Sequence, residues 1–131
     1  MRQRDELWKA LTDASDAVDA AFDAYKNAET PANRLKAQKA GREYANCLAP
    51  VIGKDSAFRY EAALQNHTDA VDRHTRFIAT LAGRPGTIDE SEATMLRLLQ
   101  EESHAAGRVL DEVMTAIQRE LVEAAERDEQ R

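Results

Sequence analysis

One stretch of this chain keeps a seven-residue apolar rhythm and lets two histidines interrupt it. Tyr60, Leu64, His67, Val71, His74, Ile78 and Leu81 follow one another at spacings of four, three, four, three, four and three. Residues spaced this way share one face of an α-helix, and that face is the one a bundle buries. The rhythm predicts a long amphipathic helix with both imidazoles on its core stripe.

The same spacing recurs elsewhere. A first helix is expected over residues 3–29, with Leu7, Leu11, Ala14, Val18, Ala21, Tyr25 and Ala28 as its stripe and Trp8 and Phe22 beside it. Thr30-Pro31 then offers an N-cap and a proline at the first helical position. A second helix is expected over 32–49, with Ala37, Gly41, Tyr44 and Leu48 inward and Ala40 and Cys47 beside them. Gly41 weakens a helix by about 1 kcal/mol relative to alanine, so its use suggests close approach by another helix. Pro50 is expected to stop this helix at Ala49.

The histidine-bearing third helix should run over 55–82, capped by Asp55 or Ser56, until Gly83-Arg84-Pro85-Gly86 breaks it. Thr87 and Glu90 match the spacing of a capping box for a fourth helix over 88–127. Its stripe includes Leu96, Leu99, Ser103, Ala106, Leu110, Val113 and Ile117, with Leu121 alongside. The polar tail 126–131 is expected to fray.

Ala, Leu, Glu, Gln, Arg and Lys dominate the sequence, and only three prolines and five glycines occur. No run has the β-branched, period-two pattern of a strand. The expected fold is therefore all-α: a single domain, either a four-helix antiparallel bundle or paired long helical hairpins. Its fourth helix would be over-long, about 60 Å against about 27 Å for the second. The stripe Val113, Ile117, Leu121 would outlast the helices able to cover it, which makes those residues the expected homo-oligomer interface.

Composition narrows function mainly by exclusion. The formal net charge of −6 argues against general nucleic-acid binding. Arg34, Lys36, Lys39, Arg42, Arg73 and Arg76 are spread around their helices without interleaved aromatics. No apolar run is long enough for a membrane span, and no export signal follows the polar N-terminus. The single cysteine, Cys47, rules out an intrachain disulfide framework and fits a reducing cytoplasm. No phosphate loop, nucleophile elbow or zinc motif occurs, so no enzyme activity, cofactor or metal is expected.

Two clusters could mislead. Glu101 and His104 have the Glu-x-x-His spacing of di-iron bundles, but those require two such motifs plus two further inward glutamates. Asp13, Asp16, Asp19 and Asp23 are helical and lack the glycine turn of a calcium loop. They read as a solvated face.

The expectation is a non-enzymatic cytoplasmic interaction protein, such as an adaptor, inhibitor or small regulator, with another protein as its partner. The alternative is a ligand- or metal-binding bundle built on His67 and His74, with Glu102 as the nearest carboxylate. These histidines lie two helical turns apart, about 10.5 Å along the axis, so they cannot share one metal ion unaided.

Overall fold

The computed structural model describes the backbone of residues 2–130 and side chains from Arg4 to Gln130. Four helices follow in order: α1 (Arg2–Asn27), α2 (Pro31–Ile52), α3 (Lys54–Ala82) and α4 (Glu90–Glu129). They run up, down, up and down. Consecutive helices pack side by side, and α2 also touches α4 across the bundle. The expected all-α bundle with a long C-terminal helix is what the chain forms.

The α1–α2 corner follows from its capping chemistry. The Thr30 hydroxyl accepts a hydrogen bond from the Asn33 amide at 3.1 Å, with Pro31 opening the helix. Asn33 then donates its side-chain amide to the Ala28 carbonyl at 2.9 Å, satisfying an orphan acceptor at the end of α1. One polar side chain thus ties the two helix ends together.

The α2–α3 corner differs from the expectation. Helix α2 does not stop before Pro50 but continues to Ile52. A proline φ is already helical, and here the ring sits in the last turn, where only one backbone bond is forfeited. Val51, just beyond it, is buried, and that packing holds the final turn in place. The whole connection is Gly53, with φ 104° and ψ 159°, a conformation open essentially to glycine alone. It also serves as the N-cap of α3, so neither Asp55 nor Ser56 has that role.

Helix α4 starts two residues later than its sequence suggests. Asp89 is the N-cap, accepting from the Glu92 amide at 2.8 Å, while Glu92 accepts from the Asp89 amide at 3.0 Å. This is a full capping box with a carboxylate in place of the hydroxyl of Thr87. The far end does not fray as expected. The helix persists to Glu129 because Asp128 accepts two bonds from the Arg4 guanidinium, both 3.1 Å, and one from the Trp8 indole at 2.7 Å. Arg131 lies outside the described residues.

One apolar cluster draws on all four helices. Leu11 and Val18 come from α1, Tyr44 and Leu48 from α2, Tyr60 and Leu64 from α3, and Leu110, Ile117 and Ala124 from α4. The Tyr44 and Tyr60 rings meet at 5.0 Å between centroids, tilted by 59°. Gly41 lies where α2 crosses α3. A Cβ there would fall 1.8 Å from Cδ2 of Leu64, so the helices approach as closely as the glycine suggests.

Candidate functional site

The stripe expected to be an interface is part of this core. Ile117 is 2% exposed, and Val113 and Leu121 pack around it. The length of α4 left uncovered lies at its other end. Fixed at one end by the Arg4–Asp128 contact, the 26-residue α1 runs antiparallel beside the C-terminal part of the 40-residue α4. The surplus is the N-terminal stretch of α4, paired with the end of α3.

That stretch is a two-helix tip standing beyond the α1–α2 corner. Glu29 at the corner accepts a hydrogen bond from the Thr75 hydroxyl at 2.5 Å, which marks the level where α1 and α2 end. The last buried residue of α3 is Asp72, and the first buried residue of α4 is Leu110. No residue from 73 to 109 is buried. Yet the tip carries an apolar seam. Ile78 is 46% exposed, Met95 45% and Leu98 49%, with Phe77, Leu81 and Leu99 half-buried between them. Two helices alone have no third layer to cover such a seam.

The charges of the tip are segregated. Arg73, Arg76 and Arg84 lie on the α3 side, with no acidic residue from 73 to 84. The α4 side carries Asp89, Glu90, Glu92, Glu101 and Glu102 against Arg97. Within the chain, Arg73 pairs with Glu102 and Arg84 with Glu92. The Arg84 bond and the capping contacts of Asp89 hold the Glu92 carboxyl below its ordinary pKa.

The histidine face is not one site. Glu102 is turned to Arg73 on the surface. His74 is half-buried on α3, level with the α1–α2 corner. His67 instead lines a groove between α1, α3 and α4, with one side of its ring against Gly107. Burial pushes the His67 imidazole below its ordinary pKa. Asp111 acts in the opposite sense, and Lys26 adds to the lowering. Its Nδ1 is buried without a hydrogen-bond partner. Among the described residues, no three His, Cys, Asp or Glu side chains come together as a metal site.

A depressed folded-state pKa means that the unfolded chain takes up the proton first. Above about pH 6.5 both states are neutral at this ring and it contributes no pH dependence. Below that value the folded state should lose stability, until pH passes the folded pKa. Thermal melts of wild type and His67→Leu from pH 7.5 to 5 read this directly. The melting temperature of wild type should fall relative to the variant over that range. A constant difference, or a relative rise, would contradict a desolvated neutral ring.

The polar cluster on the other side of α3 is not visible in the apolar spacing. Past Leu64, α3 buries Thr68, Ala70 and Asp72, so two of its three last buried residues are polar. Gln38 of α2 donates to the Thr68 hydroxyl at 2.8 Å and to Asp69 at 3.2 Å. Arg34 lies 3.6 Å from Asp69 and 3.4 Å from Asp72, and Arg76 closes on Asp72 from one turn along. Tyr25 of α1 is buried beside this group, its phenol pushed up to about 12 by burial and then by Glu29 and Asp72. The sequence signal was present in Arg34, Gln38, Asp69 and Asp72, each one helical turn from its neighbour. These contacts anchor α2 to α3, while the Arg34 Nε is buried without a hydrogen-bond partner.

No protein-family model, curated protein or solved structure matches this chain. No helix among the described residues is long and apolar enough to cross a membrane.

Proposed function

We propose that this chain is a non-enzymatic helical interaction protein of the reducing cytoplasm, and that the tip formed by α3 and α4 is its interaction element. The supporting observation is the run of residues 73–109, in which no side chain is buried although an apolar seam runs along it. A contiguous exposed apolar face on a helix pair is the surface of a protein that docks on another helix pair.

The first partner is a second copy of the same chain. In a two-fold arrangement the tips pack antiparallel and form a second four-helix layer. The basic α3 edge of one copy then faces the acidic α4 edge of the other, in addition to the pairs Arg73–Glu102 and Arg84–Glu92 made within each chain. A two-fold interface must be self-complementary, and a surface with separated opposite charges meets that condition. The seam of Ile78, Met95 and Leu98 supplies the burial.

Leu98→Glu places a charge on the seam without touching the core. Light scattering at micromolar concentration should give a dimer for wild type and a monomer for this variant, with unchanged helical content and melting of the variant monomer. A monomeric wild type at high concentration, or a variant that stays dimeric, would overturn the reading.

A further inference from the structure

The α1 and α4 backbones are neighbours that never close. Every Cα pair between them among the described residues is more than 8 Å apart, although Trp8 and Arg4 reach Asp128 at one end. Consecutive helices all approach more closely. What remains between α1 and α4 is a groove of about 430 Å³, at the small end of the range that holds organic ligands. Val18, Tyr60 and Leu110, all buried, line its inner side together with the His67 imidazole, and Phe22 and Met114 line it as well.

The rim is charged and one-sided. Asp19, Asp23 and Asp111 stand around the groove, opposed by Lys26. None of these four forms an ion pair among the described residues. The field of Asp19 reaches the hydroxyl of Tyr60 on the inner side. An aromatic wall, a polarisable thioether and unpaired carboxylates are the groups that recognise a cation carrying an apolar body.

We propose that the groove between α1, α3 and α4 binds a small monocationic organic molecule with a flat apolar body, seated on Val18, Tyr60 and Leu110 with its charge toward Asp23 and Asp111. An anion of the same size meets three carboxylates at the same rim. A neutral molecule gains the apolar contacts but forgoes the charge. The site lies below the base of the tip, at the level of Lys26, His67 and Asp111, and shares no residue with the seam of Ile78, Met95 and Leu98.

The test uses two fluorescent probes on the full chain, the cation thioflavin T and the anion 8-anilinonaphthalene-1-sulfonate. Thioflavin T should bind saturably at one site per chain, at least about tenfold tighter than the anion. Asp23→Asn with Asp111→Asn changes two exposed side chains and should leave the melt intact while weakening the cation about tenfold. Lys26→Gln should tighten it. Leu98→Glu, which blocks the tip, should leave the cation affinity unchanged, so a failure of the dimer and a failure of this site are told apart. Equal affinity for the two probes, no saturable binding, or a cation affinity indifferent to the double Asp→Asn change would overturn the proposal.

Discussion

Ile117→Asp should unfold the protein, with loss of helical signal at room temperature. Ile117 is 2% exposed at the centre of the cluster that joins all four helices. Removing its side chain forfeits about 2–5 kcal/mol of burial and packing. A carboxylate left there without a partner adds several kcal/mol more. The sum rivals the roughly 5–15 kcal/mol that holds a domain of ordinary stability together. Circular dichroism and a urea titration measure the outcome. A folded, helical Ile117→Asp monomer would mean instead that this stripe faces a partner, as its sequence position first suggests.

Gly41→Ala should destabilise the fold, although alanine is the better helix former. The added Cβ would lie 1.8 Å from Cδ2 of Leu64, a fully buried side chain, so Leu64 and the core around it must shift. Overpacking of this kind costs about 1–3 kcal/mol. The helix-propensity gain is about 1 kcal/mol, so the clash wins. Removing the obstacle reverses the sign. In a Leu64→Ala background, itself destabilised by about 2–5 kcal/mol, Gly41→Ala should be neutral or stabilising. A four-variant denaturant cycle checks this. Additive effects would contradict the close crossing of α2 and α3.

Much of this fold was legible because its core obeys helical spacing. Leu11, Val18 and Tyr25 recur every seven residues in α1, and all three are buried. Gly41 announced the tight crossing, since a residue that costs helix stability needs a compensating contact. Pro50 misled because its usual effect in a helix interior is weak in a last turn anchored by Val51. Thr68 and Asp72 were invisible because apolar spacing carries no information on polar groups that satisfy one another across helices. The position of the tip was lost for a related reason. Helix lengths give the surplus of α4 but not its register, and the register is set by contacts such as Thr75 with Glu29 and Arg4 with Asp128. The groove beneath α1 and α4 depends on that same register and on side chains from three helices, so no single stripe contains it.

The tip as the place where two copies meet is best tested by a distance between copies. Cys47 is replaced by Ala, and a nitroxide label is placed singly at Thr94, exposed on the tip, or at Glu43, exposed on α2. Double electron–electron resonance then reads intermolecular separation. A short, resolved distance is expected from Thr94, a longer one from Glu43, and loss of the Thr94 distance on adding Leu98→Glu. No intermolecular distance from Thr94, or one that survives Leu98→Glu, would contradict it.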